Sequence, residues 1–180
     1  VHPAAGQFVL DNAANTSRPG GINAVDEICR RTAEHGFALI NGYLQVPKFQ
    51  KEQEEQMQEA CKKFRKFLPT LRPLVMRGIP AQGLDENLED VCSTIKHKVS
   101  LVYASAIPVD AYLNKLGRGL DEDTQTLNTR FQTHIAELVL IAQYYGALKT
   151  AAKERRAKVF LMPLGGGVFK NPPEIIAGSI

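Results

Sequence analysis

Cysteine is scarce in this chain, and the three present do not pair. Cys29, Cys61 and Cys92 are well separated, odd in number and form no CxxC. Each lies on an apolar stripe of a helical pattern, so buried thiols are expected rather than a disulfide frame or a zinc site. The four histidines, His2, His35, His97 and His134, are dispersed with no acid or cysteine at ligand spacing, so no metal is expected. Long apolar runs are also missing, and a handful of residues cannot span a membrane. No basic-then-apolar leader opens the chain. Neither sign of charge dominates: 22 basic against 19 acidic side chains leave +3, too mild to argue for nucleic acid. Internal repeats and low-complexity tracts are absent. The expectation is a soluble, cytoplasmic domain of a reducing compartment.

What is present is enough for a core. With 180 residues, 44% of them hydrophobic, the chain can bury one, and a single domain spanning 1–180 is expected. After Asn23, a good N-cap, Val25, Ile28, Cys29, Thr32 and Ala33 share one helical face, and Gly36 is a natural stop. Phe37, Ala38, Leu39 and Ile40 fit either a short buried strand or more helix. Pro47 fits the first turn of a long helix to about Leu68, with Phe49, Met57, Ala60, Cys61, Phe64 and Leu68 inward. Its acids come early and its bases late, which suits the helix dipole. Residues 69–83 hold three prolines and two glycines and read as a loop, and a short helix is expected over 87–95. The span of about 47–95 is thus a helical elaboration.

The stretch 99–107 is the clearest strand, closed by Pro108. A second long helix starts near Asp123 and carries Leu127, Phe131, Ile135, Leu138, Val139 and Ala142 inward, with a break expected at Gly146. Another helical piece, 147–158, ends in Arg155, Arg156 and Lys158, read as a solvated face. Tyr144 and Tyr145 read as core and helix-packing surface. Val159, Phe160, Leu161 and Met162 then form a fully apolar strand. Strands that alternate with helices and are apolar on both faces predict an α/β fold with a central, mainly parallel sheet. The ends look cut, as in a fragment whose neighbours supply flanking strands.

Two loops stand out, each after a strand-like run, where open α/β sheets bind ligands. The first is Asp11, Asn12, Ala13, Ala14, Asn15 and on to Gly20 and Gly21, before the helix carrying Asp26 and Glu27. The second is Gly165, Gly166, Gly167, Val168, Phe169, Lys170 and Asn171, before the terminal helix. Consecutive glycines let main-chain N–H groups approach a phosphate with no Cβ in the way. The same glycines also suit a tight turn. Neither loop carries Gly-Lys-Ser/Thr or GxGxxG, which excludes a P-loop and the dinucleotide fingerprint.

Together the loops resemble the macrodomain family. Residues 9–15 (VLDNAAN) are similar to its NAAN segment, and Gly20, Gly21 and Ile22 with residues 24–28 to its glycine turn and first active-site helix. Val168 and Phe169 after glycines, with Pro172 beyond, are similar to its second phosphate loop. The adjacent acids look like those of the poly(ADP-ribose) glycohydrolase branch and of macrodomain-like bacterial effectors. The chain departs in having two glycines in the first turn, Pro19 before them, and Asp-Glu in place of Glu-Glu.

The resemblance implies a three-layer α-β-α domain with ADP-ribose between the loops. Asn15 would hydrogen-bond the distal ribose, and Asn12 would orient the loop or share that role. Gly20, Gly21 and Ile22 would line one phosphate, while Gly165, Gly166, Gly167, Val168 and Phe169 would wrap the diphosphate. Asn171 is a further polar candidate. Cleaving a glycosidic bond at ribose C1 needs a carboxylate to protonate a leaving group or activate water, the expected role of Glu27 or Asp26. Either acid would equally stabilise a helix dipole. The expected activity is hydrolysis of the link between ADP-ribose and a modified protein, without a cofactor. The partners would be ADP-ribose and the ADP-ribosylated protein, with no nucleic acid or membrane, met by a monomer in a cytoplasm, the host's if the chain is a delivered effector. The alternatives are a reader that binds ADP-ribose without cutting it, and a helical domain docking a partner through residues 47–68.

Overall fold

The computed structural model describes residues 25–40, 43–71, 73–81, 97–109, 120–167, 169 and 171–180. In chain order these form α1 (Asp26–Thr32), β1 (Ala38–Ile40), β2 (Tyr43–Gln45), α2 (Glu54–Phe67), β3 (Leu74–Ala81), β4 (His97–Tyr103), α3 (Glu122–Lys153) and α4 (Pro173–Gly178). Three 3-10 turns, Ala33–His35, Lys51–Gln53 and Leu68–Thr70, join them. The chain divides into two compact units. β3 and β4 lie in one, and the other is built from Asn23–Pro73 and Ala104–Ile180.

The fold mixes helix and strand, but no central parallel sheet forms among the described residues. Its strands make two antiparallel pairs, β1 with β2 and β3 with β4. The physical reason is local. β1 and β2 are three residues long and separated by two, so they close as a hairpin, with Ala38 opposite Gln45 and Ile40 opposite Tyr43.

The segment 74–81, expected as loop, is a strand. Its glycine is accommodated by a bulge: Met76 pairs with Leu101 and Ile79 with Val99, so Arg77 and Gly78 face Ser100 alone, and Pro80 lies beyond the bulge, in register with Lys98. Gly78 takes the φ of +63° that such an extra residue demands. The helical elaboration expected over 47–95 is therefore α2 followed by strand, and the helix expected over 87–95 lies outside the described residues. β4 is shorter than the 99–107 run at its far end. It stops at Tyr103; Ala106 and Ile107 are buried in irregular chain, and Val109, also buried, is helical.

In the larger unit, α1, α2 and α3 meet around four phenylalanines. Phe37 stacks on Phe64 with ring centroids 4.8 Å apart, and Phe131 lies 6.2 Å from Phe37 and 5.3 Å from Phe49. Ile28, Ala60, Ile135 and Ala136 are sealed beside them. Gly36 ends the first helical segment with φ +85°, its N–H donating to Ala33 O, and any Cβ there would strike the Pro47 ring at 2.9 Å. Pro47 itself precedes the helix rather than sitting in its first turn. The chain enters α2 through Lys51–Gln53, where Gln53 Oε1 accepts from Gln50 N at 2.8 Å.

α3 runs unbroken through Gly146. A Cβ at that position would lie 3.0 Å from Pro73 Cγ, so the glycine serves close packing, not termination. An amide clamp fixes the helix to the α2 approach. Asn128, fully buried, accepts from Phe49 N at 2.9 Å and donates to Phe49 O at 2.7 Å and Thr124 O at 2.8 Å. No described helix is long and apolar enough to cross a membrane.

The apolar run 159–162 is not a strand and is not buried. Val159, Phe160 and Met162 are exposed, and none of the described strands pairs with them. Only Leu161 turns inward, against the second core cluster of Ala106, Leu140, Tyr144 and Ile176.

Candidate glycine-loop site

The glycine loop is held at both ends by buried polar side chains. At its start, the Tyr144 hydroxyl donates to Met162 O at 2.8 Å and accepts from Leu164 N at 2.9 Å. A buried tyrosine needs a partner for its hydroxyl, and here that need spans the peptide segment leading into the glycines. At its end, Asn171 is buried and holds the backbone at Ile107 and Val109. Its Oδ1 accepts from Val109 N at 3.0 Å, and its Nδ2 donates to Ile107 O at 3.0 Å. Its own N–H donates to Gly165 O at 2.9 Å, closing the loop on itself.

The three glycines differ in what they do. Gly165 has φ +77°, and a Cβ there would collide with the Asn171 amide and sit 2.9 Å from Ala106 Cβ. Glycine is thus required at 165 by the turn and by the clamp. Gly166 completes a turn by donating to Pro163 O at 3.1 Å, and a Cβ would press on Ile176 Cδ1 at 3.2 Å. Gly167 faces open space, with no described atom within 4 Å of the point where a Cβ would sit. The fold does not ask for glycine there. Both Gly166 and Gly167 are exposed.

An aromatic pair flanks the loop. Phe169 meets Tyr43 of β2 edge-on, with centroids 6.4 Å apart and planes at 67°. Tyr43 stays half exposed. Because β2 pairs with β1, and β1 follows α1, this contact brings the glycine loop to the hairpin behind the helix of the two acids.

Those acids have separate environments. Glu27 receives Arg30 Nε at 3.1 Å and Arg31 Nε at 2.8 Å. Hydrogen bonds first from Arg30 and then from Arg31 hold its carboxyl below the usual range. A carboxylate so held keeps its charge at neutral pH and is a poor proton donor. Asp26 is exposed at the start of α1, with no ion pair to any described cation. Asp26 does push up the neighbouring Cys29 thiol, which burial, the larger cause, carries to about 12. Cys29 and Cys61 are free thiols. Among the described residues, no three His, Cys, Asp or Glu side chains gather to hold a metal.

Of the expected site residues, the structure places Asp26, Glu27, Gly165, Gly166, Gly167, Phe169 and Asn171. Asn12, Asn15, Gly20, Gly21, Ile22 and Val168 lie outside the described residues. Both polar atoms of the Asn171 amide are committed to the fold, so its role is to shape the loop. Tyr144 was legible only as a packing residue, because its partners stand 18 and 20 residues further along the chain.

No family model, curated protein or solved structure matches this chain.

Proposed function

We propose that the chain binds ADP-ribose at the glycine loop and hydrolyses the glycosidic link between ADP-ribose and a modified protein. The observation that carries this reading is the exposure of Gly166 and Gly167 beside the Tyr43–Phe169 pair. The Gly166 N–H is taken up by Pro163 O, so the donor left to a diphosphate is the Gly167 N–H, and aromatic faces next to it suit a base or ribose. Gly167 supports it separately, since no described residue packs where its Cβ would sit and its φ is not in the left-handed region. By the macrodomain resemblance of residues 9–28 and 165–172, Asn15 would hydrogen-bond the distal ribose, Asn12 would orient its loop or share that role, and Gly20, Gly21 and Ile22 would line one phosphate.

In this reading Asp26 is the working carboxylate, because Glu27 is engaged by Arg30 and Arg31. Asp26 would activate water against ribose C1, and Glu27 would position the turn. The test is release of ADP-ribose from an ADP-ribosylated protein. Asp26→Ala should abolish release while affinity for ADP-ribose stays within about tenfold, because a general base acts mainly in the transition state. Full activity in both Asp26→Ala and Glu27→Ala variants would make the two acids helix-dipole partners only.

One observation favours the non-catalytic reader: a site whose second acid is already neutralised by two arginines has one carboxylate fewer for chemistry. A parent chain that binds ADP-ribose and releases none from protein would establish that reading. A chain that binds no ADP-ribose but captures a protein through α2 would replace both.

A further inference from the structure

α3 does not simply stop. Arg155 adopts the left-handed conformation with φ 53°, and Arg156 N–H donates back to Ala151 O at 3.0 Å. The chain reverses there and returns along the helix, since Tyr144, more than two turns earlier, reaches both Met162 and Leu164. Between the reversal and that anchor, Val159, Phe160 and Leu161 make no hydrogen bond to any described residue. Their backbone N–H and C=O groups form an open edge. Phe160 is 89% exposed and Met162 74%, while Tyr145 on the adjacent helix is 63% exposed.

The same stretch concentrates positive charge. From 145 to 162 the sequence holds Lys149, Lys153, Arg155, Arg156 and Lys158 against Glu154 alone, a net +4 where the whole chain carries +3. Lys149 Nζ stands 5.3 Å from the centroid of the Tyr145 ring. Exposed apolar side chains of this size call for a partner.

Two physical arguments choose among partners. Unpaired backbone groups are satisfied by another strand, whereas a bilayer would strip their water and return nothing. A second copy would bring the same positive charge to the same edge and be repelled, while an acidic chain is attracted. We propose that residues 158–162 are an edge on which an acidic, extended peptide segment of a partner protein adds as a β-strand. Its apolar side chains would cover Phe160, and its carboxylates would face the surrounding lysines.

The probe is a dye-labelled peptide alternating glutamate and valine, titrated into the full chain by fluorescence anisotropy, with a lysine–valine peptide as control. Saturable binding of the acidic peptide alone is expected, weakening as salt is added. Hydrogen exchange at 159, 160 and 161 should slow on binding. Phe160→Pro removes one N–H from the middle of the edge and should weaken binding at least about tenfold, while Phe160→Leu should bind nearly as the parent. No saturable binding overturns the proposal, and so does equal binding of the basic peptide. Capture by phosphatidylserine vesicles without slowed exchange would make the patch a membrane contact. Amides 159–161 already slow before peptide is added would mean that the chain itself, or a second copy, covers the edge.

Discussion

Asn171→Ala is the most informative single change to the glycine loop. It deletes two hydrogen bonds to the backbone while sparing the Asn171 N–H to Gly165. Val109 N–H and Ile107 C=O would then be buried without partners, both residues being 5% exposed. Each abandoned group costs about 1–3 kcal/mol, so the loss from the two should be about 2–6 kcal/mol. Urea denaturation should show a lower midpoint with an unchanged slope. Asn171→Asp separates the two bonds. One oxygen still accepts from Val109, but the other faces the Ile107 carbonyl, acceptor against acceptor. Burial and that carbonyl should raise the new acid's folded pKa above its unfolded value. The folded state then binds the extra proton, so the variant should regain stability as pH falls through that value. A loss under about 0.5 kcal/mol for Asn171→Ala, the size of an ordinary surface change, would refute the clamp.

Other outcomes follow from particular residues. Gln143 is fully buried with neither amide atom paired among the described residues, so Gln143→Met should stabilise by about 1–3 kcal/mol in the same titration, and a loss would mean the amide has a partner. Arg155 holds a left-handed conformation at the end of α3, so Arg155→Gly should stabilise by about 1 kcal/mol, read as a raised melting temperature. Glu27 has a depressed folded pKa, so its pairing with Arg30 and Arg31 is fully present above the unfolded value of 4.5 and is lost as pH falls through the folded one. Glu27→Gln should therefore lower the melting temperature at pH 7 and leave it unchanged in strong acid.

The helices were the legible part of this fold. Ala60, Phe64, Phe131, Ile135 and Val139 recur at helical spacing and are buried as that spacing predicts, whereas Phe49, expected in the same helix as Ala60 and Phe64, is buried in the chain that precedes it. The sheet was not legible, for two reasons. Apolar composition at 159–162 suits a buried strand, yet a strand needs a neighbour, and none of the described strands lies beside it. Gly78 and Pro80 suggested a loop, whereas a bulge admits Gly78 inside β3 and Pro80 pairs beyond it with Lys98. Within the site, the glycines were visible and their division of labour was not. Gly165 is constrained by Asn171 and Ala106, and only the folded chain brings those atoms together. The clamping roles of Asn128 and Asn171 were hidden because their partners lie 79 and 62 to 64 residues away in sequence. An asparagine's amide says nothing about distant backbone until that backbone arrives.

The most direct test of the proposed function is a calorimetric titration of the parent chain and Gly167→Val with ADP-ribose. A valine Cβ at 167 meets no described atom of the fold, so the variant should unfold at the parent's temperature. The account predicts saturable heat for the parent and at least about a tenfold loss of affinity, roughly 1.4 kcal/mol, for the variant. No saturable heat with the parent, or equal affinity in the two proteins, would contradict it.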